Sequence, residues 1–200
     1  VESRILPSHL SQKDKDDKLG ILDVRVLLNN KEQIDIEIQV TASEYWAERT
    51  LFYLGKMFTD QLKPGEDYQK LEKCIHIGIL NFTMFEDEEY YSCFHFWSDQ
   101  GRKMYSDKVE IHTLELPKLA KYEYPETELL KWLQFINAET KEEFEMAAEK
   151  SEYIKKAYED LNRISADEEK RLEYEARERA IRDHQYFSTV YKNTGLKEGR

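Results

Sequence analysis

Residues 20–40 constrain the fold more than any other stretch, because apolar and polar side chains alternate on both sides of a short polar break. The apolar members all carry even numbers: Leu22, Val24, Val26, Leu28, Ile34, Ile36, Ile38 and Val40. Alternation of this kind is typical of half-buried strands. The stretch therefore predicts two strands joined by a turn, with the even-numbered residues in an apolar layer.

The odd-numbered residues share the other face of this hairpin and are polar: Asp23, Arg25, Asp35, Glu37 and Gln39. Pairing the strands so that residue numbers sum to an even value near 62 puts Asp23 opposite Gln39 and Arg25 opposite Glu37. Opposed β carbons lie ~5 Å apart and diagonal ones ~7–8 Å, so the two carboxylates can converge on one divalent cation. The same alternation is also typical of a hairpin whose polar face is simply solvated, and the pattern alone leaves both interpretations open.

Composition bounds the class of protein. The 200 residues suffice for one domain with an appended helical part. The 30 Lys and Arg against 41 Asp and Glu give a net charge of −11, so any nucleic-acid role needs a local patch or metal ions. The sequence has no apolar run long enough to span a bilayer, and it predicts a soluble, cytoplasmic protein without a membrane partner. Because it starts at Val1, we expect an upstream helix to be missing.

The two cysteines and three of the histidines fall in strand-like runs. Cys74 and Cys93 lack the spacing of metal ligands and predict small buried side chains in a reducing compartment. His76, His95 and His112 share no spacing either, and we expect packed or hydrogen-bonded histidines at these positions.

A helix is predicted after the hairpin, capped by Thr41 or Ser43 and ended by Pro64-Gly65. Its expected apolar stripe is Ala47, Leu51, Leu54, Phe58 and Leu62. Tyr45 and Arg49 lie off that stripe and are expected to face the polar side of the hairpin. Three further strands are predicted at residues 74–82, 90–97 and 109–116.

The composition changes after Tyr124-Pro125 to Glu, Lys, Ala, Leu and aromatics, without a strand pattern. We therefore divide the chain into a core, residues 1–125, and a helical subdomain, residues 126–200. Ser165-Ala-Asp-Glu168 predicts a capping box that opens a charged helix through about Phe187. The mixed charge of that helix suits a solvated or partner-facing surface, which would allow a homo-oligomer to form through the helical part.

Several segments together resemble the PD-(D/E)XK nuclease family transposases, the recombination-promoting, transposase-like family of bacteria. They span roughly residues 17–116: Asp17-Lys-Leu-Gly-Ile-Leu-Asp23-Val, Ile34-Asp-Ile-Glu37-Ile-Gln39-Val40, Tyr45-x-x-x-Arg49, the run from Phe58 to Tyr68, and Ile75-His-Ile-Gly-Ile-Leu-Asn-Phe-Thr-Met-Phe85. The resemblance implies a restriction-endonuclease-like α/β core with a mixed central sheet flanked by helices. It also implies a Mg²⁺-dependent DNA endonuclease linked to DNA recombination or transposition.

The resemblance assigns catalytic roles to Asp23, Glu37 and Gln39. Asp23 and Glu37 match the two acidic metal ligands, and the backbone carbonyl of Ile38 is a third candidate ligand for Mg²⁺, or for Mn²⁺ in its place. Gln39 stands where the superfamily has Lys, and its neutral amide orients water but cannot neutralise charge. The missing charge must then come from the metal or from Arg25 or Arg49.

The remaining site residues are expected around this centre. Asp35, Arg25, Tyr45 and Arg49 are assigned to the surroundings of the metal or to DNA binding. Arg49 is suited to contact a phosphate, and equally to form a salt bridge that neutralises Glu37 or Asp23. The rival hypothesis is an inactive nuclease fold that serves as a protein-interaction or self-association module, which the Gln at position 39 and the net charge of −11 both favour.

Overall fold

The computed structural model describes residues 2–7, 23–29 and 31–166. Its strands form one six-stranded sheet in the order β1-β2-β3-β4-β6-β5. Strand β3 pairs in parallel with β4, and β4 in parallel with β6, whereas the other neighbours are antiparallel. The strands are β1 (Ser3–Leu6), β2 (Val24–Leu28), β3 (Gln33–Gln39), β4 (Cys74–Leu80), β5 (Tyr91–Trp97) and β6 (Met104–Glu115).

Four α-helices accompany the sheet in the described residues: α1 (Trp46–Thr59), α2 (Glu128–Ile136), α3 (Lys141–Ala148) and α4 (Glu152–Ala166). Short 3₁₀ turns lie at Tyr68–Lys70 and Leu116–Ala120. The mixed sheet with helices confirms the α/β class. No helix in this described part of the chain is long and apolar enough to cross a membrane.

The chain divides into two compact units, Val1–Pro125 and Glu126–Arg200. Their assignment as a nuclease-like core and a helical subdomain stays a prediction. In the second unit, α3 begins with a capping box in which Thr140 and Glu143 exchange side-chain-to-backbone hydrogen bonds. The predicted capping box at Ser165 is wrong, because Ser165 and Ala166 lie inside α4. The rest of the predicted charged helix, through Phe187, falls outside the described residues.

The register of the β2–β3 hairpin differs from the prediction by two residues. Arg25 pairs with Asp35 rather than with Glu37. The connection is tighter than expected, because the Leu28 N–H donates to the Glu32 carbonyl at 2.9 Å and Lys31 adopts the left-handed φ of 69°. A shift of two residues keeps every side chain on its predicted face, so the polar residues still share one side of the sheet.

Burial across the hairpin is the reverse of the predicted arrangement. On the polar face, Asp35 is 1% exposed and Glu37 3% exposed. On the apolar face, Val40 is 65% exposed, Ile38 50% exposed and Val24 40% exposed, so the predicted apolar layer is wrong for these three residues. The cause is α1, which covers the polar face and contacts the neighbouring strand β4.

The buried stripe of α1 also differs from the predicted one. It consists of Trp46, Thr50, Leu54 and Met57, so only Leu54 was expected. Leu54 and Met57 pack with Cys74 of β4 to form the core beneath the helix. The helix starts at Trp46 without a side-chain cap and ends at Thr59, whereas the prediction began it earlier and extended it to Leu62. The buried residues at its start, Trp46 and Thr50, reach the sheet at His76 of β4: the two rings lie 5.7 Å apart, and Thr50 Oγ1 lies 3.4 Å from His76 Nε2.

Candidate functional site

Alternate residues of β3 place three polar side chains on the face beneath α1: Asp35, Glu37 and Gln39. Strand β3 lies between β2 and β4, so this row sits inside the sheet. Its parallel neighbour β4 sets His76 beside Asp35, Gly78 beside Glu37 and Leu80 beside Gln39. A helix-covered, interior strand is an expensive place for two carboxylates, which need partners there.

Arg49 of α1 connects two members of this row. One guanidinium nitrogen, Nη2, lies 3.0 Å from Glu37 Oε2 and 2.9 Å from Gln39 Oε1. The guanidinium also lies 4.9 Å from the ring centroid of Trp46, a cation–π distance. Arg49 is therefore held between the strand and the first turn of its own helix, and the predicted salt bridge to Glu37 is present.

The amide of Gln39 is fixed at both ends. Its Oε1 accepts from Arg49 at 2.9 Å, and its Nε2 donates to the Thr41 carbonyl at 2.8 Å. Glu37 and Gln39 thus share a single cation on the helix. A positive charge lies next to position 39, although residue 39 itself is neutral.

The ionisation of Glu37 reflects opposing effects. Burial raises the pKa of this carboxyl above its usual range, and the negative charge of Asp35 acts in the same direction. The charge of Arg49 and its hydrogen bond oppose the shift without cancelling it. Glu37 consequently depends on Arg49, and on any further cation, to remain ionised in this environment.

Asp35 lies deeper, in a buried pair with His76. Its Oδ2 lies 2.8 Å from His76 Nδ1, and both side chains are 1% exposed. The opposite ring nitrogen of His76 is 3.4 Å from Thr50 Oγ1, and the ring packs 5.7 Å from Trp46. The second carboxylate oxygen, Asp35 Oδ1, is buried without a hydrogen-bond partner. A buried orphan oxygen on a carboxylate is a ligand atom available to a cation.

Asp23 directly precedes β2 and is hydrogen-bonded to β3. Its Oδ2 accepts a hydrogen bond from the Ile38 backbone N–H at 3.1 Å. That N–H lies between Glu37 and Gln39 in the chain, so Asp23 is anchored beside the polar row. The Ile38 side chain points to the opposite face of the sheet, which leaves only its backbone available to the site.

Two predicted site residues are not brought to this centre. Arg25 donates from Nη2 to Gln33 Oε1 at 2.6 Å, and it pairs across the hairpin with Asp35 rather than with Glu37. Tyr45 is 67% exposed at the N-cap of α1, and its side chain therefore faces solvent. The expected orientation of Tyr45 toward the polar face is wrong, because α1 starts at Trp46, the residue after Tyr45, and turns Trp46 toward the sheet instead.

Tyr53 is a residue of this site that the sequence did not single out. Burial raises the pKa of its phenol, and the charges of Glu37, Asp35 and Asp23 raise it further while Arg49 lowers it. All four charges therefore lie within electrostatic range of one ring. Tyr53 follows Arg49 by four residues on α1, so the two side chains lie on one face of the helix. A helical stripe counted from Trp46, rather than from Ala47, would have included Tyr53.

The donor atoms of this site suit a hard divalent cation such as Mg²⁺ in type. The site's oxygens are of the required type, since Asp23, Glu37 and the unpartnered Asp35 Oδ1 supply carboxylates. Over residues 2–7, 23–29 and 31–166, however, no group of three or more His, Cys, Asp or Glu side chains stands ready to hold a metal ion. The oxygen donors suit a divalent cation, but in the structure the cation that contacts Glu37 is the Arg49 guanidinium.

Comparison with protein families identifies the family to which the chain belongs. The family model of the PD-(D/E)XK nuclease family transposases matches residues 1–189. The chain belongs to this family. Its mixed sheet with helices is accordingly a restriction-endonuclease-like α/β fold, as the resemblance implied. No curated protein and no solved structure matches the chain.

Proposed function

We propose that this protein is a Mg²⁺-dependent DNA endonuclease that hydrolyses phosphodiester bonds during DNA recombination or transposition. Family membership indicates a nuclease that acts on DNA and is linked to transposition. The observation that carries the finer proposal is the row on β3, where Glu37 and Gln39 share Arg49 and Asp23 is bonded to the intervening Ile38. Both cysteines are free thiols, in keeping with a cytoplasmic protein.

Asp23, Glu37 and the carbonyl of Ile38 would hold Mg²⁺, or Mn²⁺ in its place, with Asp35 behind them. The ion supplies Lewis-acid polarisation of a phosphate oxygen and an activated water. The protein contributes desolvation, since Glu37 is 3% exposed and Asp35 1% exposed. Removing water from the carboxylates strengthens their attraction to a cation.

Arg49 would provide the positive charge that Gln39 lacks. Its guanidinium lies 2.9 Å from the Gln39 amide oxygen, so it stands near the position that a lysine ammonium would occupy. A guanidinium can bind a phosphate through two parallel hydrogen bonds, and the side chain is 35% exposed and thus reachable from solvent. We infer that the scissile phosphate competes with Glu37 for Arg49 and that Gln39 orients a water molecule.

Nicking of supercoiled plasmid DNA tests this function. Wild-type protein should convert the plasmid to open-circular or linear forms with Mg²⁺ or Mn²⁺, and Asp23→Asn or Glu37→Gln should reduce the rate by at least about 100-fold. Glu48→Gln is the matched control, because Glu48 is an exposed carboxylate in the first turn of α1. Circular dichroism verifies that the variants fold. Equal cleavage by wild type and both site variants would show that the nuclease is a contaminant.

The second candidate is a catalytically inactive fold that acts as an interaction or self-association module. The salt bridge between Arg49 and Glu37 favours it, because the buried carboxylate already has a cation. Calorimetry separates the two proposals. A wild-type chain that binds neither Mg²⁺ nor Mn²⁺, and that sediments as a dimer, would support the module rather than the nuclease.

A further inference from the structure

A second group of chemically reactive side chains lies on the last two strands, away from the candidate nuclease site. Cys93 and His95 are two residues apart on β5 and therefore share a face, as do Glu110 and His112 on β6. Cys93 pairs directly with His112. Since His76 faces α1 and pairs with Ile111, the residues on either side of Ile111 face the opposite side of the sheet. The four residues Cys93, His95, Glu110 and His112 are called the β5–β6 cluster below.

The imidazoles of the cluster are each held by one nitrogen and present the other to the thiol. His95 Nε2 lies 2.8 Å from Glu110 Oε1, and its Nδ1 lies 3.8 Å from Cys93 Sγ. His112 Nδ1 lies 2.9 Å from the Tyr91 hydroxyl, and its Nε2 lies 3.9 Å from Cys93 Sγ. Metal-binding histidines are oriented in this way, with one nitrogen on an oxygen partner and the other free for the ion.

Three of the six separations among the four candidate ligand atoms approach those of a tetrahedral zinc centre. Zinc bonds of ~2.3 Å to sulfur and ~2.05 Å to nitrogen place two such ligands about 3.6 Å apart, close to the 3.8 and 3.9 Å between Cys93 Sγ and the two imidazoles. Nitrogen and carboxylate ligands stand about 3.4 Å apart in the same geometry. His112 Nε2 and Glu110 Oε2 are separated by 3.3 Å.

Lys73 determines which oxygen of Glu110 is available. Its Nζ lies 2.6 Å from Glu110 Oε1, the same oxygen that meets His95. Oε1 is thereby occupied twice, and Oε2 has only the 3.3 Å contact to His112 among the described residues. The carboxylate can therefore orient His95 through one oxygen while the other joins an ion.

We propose that the β5–β6 cluster binds a transition-metal ion of the zinc class through Cys93 Sγ, His95 Nδ1 and His112 Nε2, with Glu110 Oε2 or water as the fourth ligand. Thiolate and imidazole ligands select borderline metals over Mg²⁺. On binding, the Cys93 thiol releases its proton to solvent, and His112 adopts the neutral tautomer with its N–H on Nδ1, donated to the Tyr91 hydroxyl oxygen. The contact between His112 Nε2 and Glu110 then gives way to the metal bond.

Binding requires the side chains to rearrange, because in the described residues no three His, Cys, Asp or Glu side chains already surround one point. Room for it exists: Cys93 is exposed, and the His95 and His112 side chains are 20% and 19% exposed. The consequence is structural. Strand β5 is the edge of the sheet, and its pairing with β6 becomes irregular between Phe94 and Trp97. An ion shared by both strands would hold the edge strand at this irregularity.

Cobalt(II) titration of the full, metal-stripped chain tests the proposal. Wild type should develop a thiolate-to-cobalt charge-transfer band that saturates at one equivalent and that zinc abolishes. Cys93→Ser and His112→Gln should each lose the band, and Tyr91→Phe, which removes only the hydroxyl bonded to His112, should weaken zinc binding about 10-fold. Ser92→Ala is the matched control, since Ser92 lies next to Cys93 on β5 but faces the other side of the sheet.

Two results would overturn the proposal. The first is the absence of a charge-transfer band in the wild-type protein, which needs no variant and no folding control. That outcome would leave the cluster as a hydrogen-bond network around Glu110. The second is a band that persists in Cys93→Ser, which would assign the thiolate to Cys74. The oxygen ligands proposed for Mg²⁺ cannot produce a thiolate band, so the result is independent of the nuclease proposal.

Discussion

Replacing Gly78 with Ala tests whether the buried tryptophan of α1 organises the candidate site. Gly78 lies on β4 beside Glu37. A β carbon added there would come 2.7 Å from Trp46 Cζ2 and 3.4 Å from His76 Nε2. Carbon atoms in contact normally stand about 3.5–4.0 Å apart, so the Trp46 ring must move by close to 1 Å. Trp46 is 3% exposed, and its indole is rigid, so no flexible part of the side chain can rotate away from the added carbon.

The cost follows from the packing. Overfilling a close-packed site typically destabilises by about 1–3 kcal/mol. Alanine regains ~0.5–1 kcal/mol over glycine in a strand, which partly offsets this loss. We therefore expect Gly78→Ala to lower the free energy of unfolding by about 1–2 kcal/mol. Because Arg49 stacks 4.9 Å from the same ring, the displaced Trp46 should also shift the guanidinium that Glu37 and Gln39 share.

Urea unfolding followed by tryptophan fluorescence measures the change. Gly55→Ala is the matched control, because an added β carbon at Gly55 meets nothing within 4 Å. Alanine is favoured over glycine in a helix interior, so this variant should be more stable by up to about 1 kcal/mol. Adding Trp46→Phe to Gly78→Ala should recover part of the lost stability by providing room. A Gly78→Ala protein at least as stable as wild type would refute the assigned packing of Trp46.

Three further predictions concern charge and thiol chemistry. Arg49→Met should lower the free energy of unfolding by about 2–4 kcal/mol near pH 8 and by less near pH 5. The reason is that a buried Glu37 without its partner is tolerated only when it is protonated. Thermal unfolding at the two pH values measures the difference. With metal removed, a disulfide reagent should modify Cys93 while native Cys74 stays protected, because burial raises the pKa of the Cys74 thiol to about 12. Burial raises the pKa of Glu110, but hydrogen bonds from a lysine and two histidines outweigh it and lower the pKa to about 2 from 4.5. The stability that this shift provides is present above about pH 4.5 and is lost as pH falls toward 2. Glu110→Gln should remove that acid dependence and lower the free energy of unfolding by up to roughly 3 kcal/mol at neutral pH. Denaturant titrations at several pH values measure both effects.

Side-chain periodicity predicted the sheet better than it predicted what covers it. The alternation of residues 20–40 located β2 and β3 and placed Asp35, Glu37 and Gln39 on one face, because strand period depends only on the backbone. The register was missed by two residues, since it depends on how tightly the connection closes at Lys31. A turn with a left-handed Lys carries no glycine or asparagine-glycine marker that a sequence pattern would reveal.

The inverted burial has a different cause. Hydrophobic patterning assigns the apolar face to the interior, whereas here α1 covers the polar face because it follows β3 directly and packs onto β4. Trp46 is bulky and Thr50 is polar, so a search for stripes of aliphatic residues does not include them. Gly78 provides space for the Trp46 indole, but this is visible only when α1 and β4 are placed together. Such contacts join residues distant in sequence, so local propensity does not encode them.

The position of positive charge in the site follows from the same packing. A lysine at position 39 would reach the site from the strand, and its charge would depend only on strand register. Arg49 reaches it from a helix, so its position depends on Trp46 beneath the guanidinium and on Gly78 beneath Trp46. Under the proposed function, a change at Gly78 that leaves Glu37 and Gln39 intact should therefore slow cleavage. Adding Gln39→Lys to Gly78→Ala should restore part of that rate, because an ammonium carried by the strand does not require the Trp46 stack.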